Sequence, residues 1–69
     1  SMGDDEDYKR AVQVVINEGK ASTSLLQRRM RIGYGKASRL IDQMEEKGVI
    51  APADGSKPRA VLIQSSDDV

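Results

Sequence analysis

The sequence predicts an α+β domain of the winged helix-turn-helix type: three helices and then a β-hairpin wing. Three observations carry that expectation. A helical apolar period recurs between residues 4 and 47, a short glycine-bearing connection separates its second and third stretches, and after Gly48 the spacing becomes extended. Sixty-nine residues provide for one small domain with a thin core and leave no room for a second.

The first helix is expected over residues 4–18. Tyr8, Ala11, Val12, Val15 and Ile16 fall at i, i+3, i+4, i+7 and i+8, which places them on one face of a 3.6-residue period. The β-branched run Val14-Val15-Ile16 would suit a strand, but helical spacing carried back to Tyr8 decides for helix. Asp4 or Asp5 can cap its start, and Gly19 stops it. Residues 21–23 read as a short connection with a single extended rung. Ser24-Leu25-Leu26-Gln27 has the form of a capping box, opening a second helix that ends near Met30. Arg31-Ile32-Gly33-Tyr34 is then a tight turn in which Gly33 supplies a positive φ. The third helix is expected from Gly35 to Lys47, with Ala37, Leu40, Ile41 and Met44 inward. Val49-Ile50-Ala51-Pro52 and Ala60-Val61-Leu62-Ile63 form the strands of the wing, joined by a turn bearing Asp54-Gly55. Residues 1–3 read as an expression remnant, 4–64 as the domain and 65–69 as a frayed tail.

Composition removes several classes of function. The chain has no cysteine and no histidine, so disulfides, thiolate metal sites and the commonest general base are absent. No apolar run exceeds four residues, against the roughly 20 that a bilayer span requires. There is no phosphate-cradling GxxxxGK[ST] loop and no paired acid and base, so the expectation is a non-enzyme with no metal and no cofactor.

The formal net charge of zero conceals a segregation. Six acids lie at the two ends, whereas Lys20, Arg28, Arg29, Arg31, Lys36 and Arg39 follow one another between Gly19 and Ile41 with no acid among them. Residues 8–66 hold eleven positive and five negative charges, a net of +6. Such a block is either a phosphate-binding surface or a solvated face neutralised by acids that fold beside it.

The helix order favours the first. In a helix-turn-helix the second helix of the motif lies in the major groove, which is about 12 Å wide and admits one helix. Gly35, Lys36, Arg39 and Asp42 stand on its outward face near its start. Arg39 leads as a base reader, because a guanidinium fork matches guanine O6 and N7. Asp42 either accepts from a cytosine amine or holds Arg39 through an i, i+3 ion pair, the commoner role. Arg28 and Arg31 are placed to contact the sugar-phosphate backbone, with Arg29 the weakest of the three arginines. Lys57 and Arg59 flank the wing, where they either reach phosphate or serve only solubility. Ser24, Gln27 and Tyr34 read as structural.

The run Gln27-Arg28-Arg29-Met30-Arg31-Ile32-Gly33-Tyr34-Gly35-Lys36-Ala37-Ser38-Arg39-Leu40-Ile41-Asp42, with Met44-Glu45, Gly48-Val49-Ile50 and the wing Gly55-Ser56-Lys57-Pro58-Arg59, resembles the C-terminal gamma domain of the FtsK/SpoIIIE DNA translocases. The resemblance covers about residues 5–63, and the wing looks like the SpoIIIE side of the family. It implies a winged helix that reads short, polar, G-rich sequences in double-stranded DNA and orients a hexameric ATP-driven motor during division or sporulation. The domain itself would be cytoplasmic with no direct membrane contact, its parent anchored in the membrane. The family's contacts carry over to Arg39, Asp42 and Arg28. Where relatives commonly have Asn or Thr followed by Arg, this chain has Gly35-Lys36. Gly35 has no side chain to reach a base and costs a helix roughly 1 kcal/mol relative to alanine, and Lys36 lacks the bidentate fork. A single domain burying roughly 600–1,000 Å² on DNA binds only modestly, so the expectation is a monomer in isolation whose copies, presented by a hexamer, assemble side by side on DNA. The alternative is a protein-docking role toward a XerD-type recombinase, with Gln43 and Glu46 as candidate contacts.

Overall fold

The computed structural model describes residues 2–68. Its first helix, α1 (Met2–Glu18), starts two residues before the expected boundary at residue 4 and buries the face anticipated for it, with Ala11, Val12 and Val15 at most 2% exposed. Gly19 ends it at φ +75, and its N–H donates to the Val15 carbonyl at 2.8 Å. The chain then extends through β1 (Lys20–Ala21) into α2 (Thr23–Met30), which buries Leu25, Leu26 and Met30.

The cap of α2 is Ser22 rather than Ser24. Ser22 is extended and its Oγ accepts the Leu25 N–H at 3.1 Å. Ser24 falls inside the first turn, which leaves Gln27 two residues past Leu25, the position from which a side chain reaches back to the cap. The following turn also differs from expectation. The left-handed residue is Arg31, at φ 56 and ψ 49, directly after the last turn of α2, where a left-handed residue closes a helix. Gly33 has φ −79 and serves as the extended N-cap of the next helix, giving no side-chain hydrogen bond.

Helix α3 (Tyr34–Glu46) buries Ala37, Leu40, Ile41 and Met44. Gly48, at φ +77, turns the chain so that the Val49 N–H reaches the Met44 carbonyl at 2.8 Å. Val49 and Ile50 complete a core shared by all three helices.

The fold is the expected α+β one, three helices with a small antiparallel sheet, and the sheet reaches beyond the wing hairpin. Its two-residue ladder joins β1 to β2 (Arg59–Ala60), antiparallel, with Lys20 opposite Ala60 and Ala21 opposite Arg59. The wing's own strands meet only at a bridge between Ile50 and Val61, supported by the Ala51 N–H to the Ala60 carbonyl at 3.0 Å and the Leu62 N–H to the Val49 carbonyl at 2.8 Å. Pro52 and Pro58 have no N–H to extend that pairing, while β1 brings the fully buried Ala21 to the free edge of the returning segment. At the wing tip Gly55 is left-handed at φ +62 and the Lys57 N–H closes on the Asp54 carbonyl at 3.3 Å. Within the tail expected to fray, Ser66–Asp68 form a 3-10 turn packed against α1.

Candidate nucleic-acid interface

The amphipathic period of α3 decides which side chains face outward. With Ala37, Leu40, Ile41 and Met44 in the core, Gly35, Arg39 and Asp42 are exposed and Lys36 is half-buried. The structure thus brings the four predicted base readers to one surface, within the first nine residues of α3. That end of α3 carries the positive pole of the helix dipole, and its first-turn N–H groups have no side-chain cap.

Arg39 lies back along the helix. A Cβ built on Gly35 would stand 3.7 Å from its Nη1, so the guanidinium rests over the bare backbone of the first turn. Helical side chains lean toward the N-terminus, and this one leans away from Asp42. Among the described residues Arg39 and Asp42 form no ion pair with each other, which corrects the i, i+3 pairing favoured from the sequence. Lys36 is not free: its Nζ contacts Oδ2 of Asp7 on α1, the two side chains being 40% and 21% exposed. Asp7 also lies 3.9 Å from Arg10.

The backbone candidates divide in the same way. Arg28 and Arg31 are exposed and have no ion pair among the described residues. Arg29 turns to α1, with its Nη2 2.9 Å from Glu18 Oε2. Lys57 is exposed at the wing tip. Arg59, on β2, donates to Glu45 Oε1 at 2.5 Å and is only 19% exposed; it ties the wing to the second half of α3. Two residues were missed as parts of this surface. Tyr34, read as structural, is 66% exposed in the first turn of α3, and its place beside Gly35 was the available signal. Asp7 approaches Lys36 from another helix, for which nothing in the local pattern speaks.

Among the described residues no group of His, Cys, Asp or Glu side chains is placed to hold a metal ion, and no helix is long and apolar enough to cross a membrane.

Residues 2–64 match the family model of the FtsK gamma domain. The chain is 58% identical over 65 residues to the DNA translocase FtsK of Halalkalibacterium halodurans, covering 94% of this chain and 8% of that protein. It is 58% identical over 59 residues to the DNA translocase SpoIIIE of Bacillus subtilis, covering 86% and 8%. To the DNA translocase SftA of the same organism it is 56% identical over 64 residues, covering 93% and 7%. The chain therefore spans less than a tenth of the length of these relatives.

Proposed function

Since this chain belongs to the family of FtsK gamma domains, we propose that it is a sequence-reading double-stranded DNA module that orients a larger ATP-driven translocase on the chromosome. The observation that carries the reading is the outward face of α3, where Gly35, Lys36, Arg39 and Asp42 share one surface that begins at the positive end of the helix. Laid in the major groove, that surface sets the Arg39 guanidinium against base edges, guanine first. Arg28 and Arg31, exposed on and after the last turn of α2, hold the sugar-phosphate backbone and fix register without reading sequence. Lys57 touches phosphate beside the groove. Arg59 contributes there only when it leaves Glu45, so in the free protein its role is to brace the wing.

Reading is concentrated on Arg39. Gly35 presents backbone alone and Lys36 a point charge, so the guanidinium is the one fork on the surface. Arg39→Ala is expected to cost about 1–3 kcal/mol on the preferred duplex and to flatten preference between duplexes. Arg28→Ala weakens all duplexes alike and reduces the slope of log K against log salt by about 1. Titration of both variants against a selected and a scrambled duplex at several salt concentrations separates them; equal losses on the two duplexes for Arg39→Ala count against sequence reading.

One domain of this size buries roughly 600–1,000 Å² on DNA. Affinity then grows by presenting several copies side by side on a hexameric motor, which adds effective concentration without new contacts. The competing use of the fold, docking a XerD-type recombinase through Gln43 and Glu46, predicts duplex binding that is weak and nearly indifferent to salt.

A further inference from the structure

The contact between Lys36 and Asp7 joins the reading helix to a part of the chain that has no place in the helix-turn-helix. We propose that Asp7 is an electrostatic brake on the DNA surface: it holds the Lys36 ammonium against α1 and sets a carboxylate beside the path of the phosphates. This rests on the DNA-binding reading above and assigns to α1 a role in setting the strength of that binding.

The geometry supplies the argument. Asp7 is on the second turn of α1, and its carboxylate is mostly covered, at 21% exposed, while Lys36 keeps 40% of its side chain open. The pair lies at the edge of a shallow hollow between α1 and α3 whose wall also includes Arg39, Leu40 and Asp42. The brake therefore borders the side chains that meet DNA. Arg10, at 3.9 Å, is the other cation on the same carboxylate, so Asp7 keeps a partner when Lys36 departs. As a point charge without a fork, Lys36 meets DNA at phosphate rather than at a base edge; to do so it must leave Asp7, and the carboxylate left behind repels the same phosphate. Both effects oppose every duplex equally, because phosphates carry no sequence. The brake lowers affinity for random DNA and leaves the ranking of sites to Arg39.

Asp7→Asn keeps the shape of the side chain and removes its charge. It is expected to tighten binding to selected and scrambled duplexes by a similar factor, about 3- to 10-fold at low salt, and to steepen the salt dependence by about one phosphate contact. Glu6→Gln is the control: the same change in net charge one residue away, at a side chain whose ion-pair partner is Lys9. Lys36→Met completes a double-mutant cycle, in which the gain from Asp7→Asn shrinks when Lys36 is already gone. Far-ultraviolet circular dichroism checks that each variant is folded. Equal gains from Asp7→Asn and Glu6→Gln, or an undiminished gain in the Lys36→Met background, overturn the brake and leave only bulk charge. Absence of salt-dependent duplex binding in the unaltered protein instead overturns the DNA-binding reading itself, so the two failures are distinguishable.

Discussion

Tyr8 shows how one atom can set a stability profile. Its hydroxyl is buried with no hydrogen-bond partner among the described residues, and the Lys47 ammonium lies 5.1 Å from its ring centroid. Burial raises the phenol above its ordinary 10.0, so the folded state holds the proton more tightly than the unfolded chain. The sign follows: this contribution is complete below pH 10 and is lost as the pH climbs toward the raised value. Tyr8→Phe removes an unpaired polar atom and keeps the ring under Lys47. It is expected to stabilise the domain by up to about 1 kcal/mol near neutrality, and by more in alkali, where the unaltered protein weakens. Thermal melts at pH 7 and pH 10.5 read this directly; a Phe variant that melts lower at pH 7 shows that the hydroxyl has a partner. At this scale the sequence revealed which side chains share the surface of α3, because a single helical period decides that. It did not reveal that Lys36 is held by Asp7 or Arg59 by Glu45, since both contacts join elements far apart in the chain.

Among the elements, α2 carries the most instructive difference. Ser24 and Gln27 satisfy the spacing of a capping box, yet the chain leaves its extended path at Ser22, because β1 ends there after pairing with β2. Ser22→Ala is expected to cost about 1 kcal/mol, with Ser24→Ala close to neutral; urea unfolding of the two variants decides which serine caps, and the reverse order contradicts the hydrogen bond from Leu25. The turn after α2 teaches a similar lesson. Gly33 was the residue suited to a left-handed backbone, but closure of the helix asks for that conformation at Arg31, and a non-glycine residue meets it at a cost of roughly 1 kcal/mol. The helices themselves were legible because each buries its own periodic face. The partner of the returning strand was not. Extended spacing around Val61 announces a strand without naming its neighbour, and two prolines together with a buried Ala21 gave the ladder to β1.

For the whole molecule the controlling fact is a thin core shared by three helices and Val49-Ile50. A domain of this length has a total stability of about 3–10 kcal/mol, and truncating one fully buried leucine removes about 2–5 kcal/mol. Leu26→Ala is therefore expected to lower the melting temperature by roughly 10 °C or more, with the proposed DNA binding lost in the same transition; binding that outlasts the circular-dichroism transition would show that α3 is held by something other than this core. The order in which the sheet is assembled has one more consequence. Its ladder pairs residues 20–21 with residues 59–60, so on the ribosome all three helices emerge before the strand that fastens them. Until Arg59 and Ala60 leave the exit tunnel, β1 has no partner and Glu45 lacks its arginine, and a stall within the wing releases a fragment with every basic side chain of α2 and α3 but without the ladder and the brace on the second half of α3.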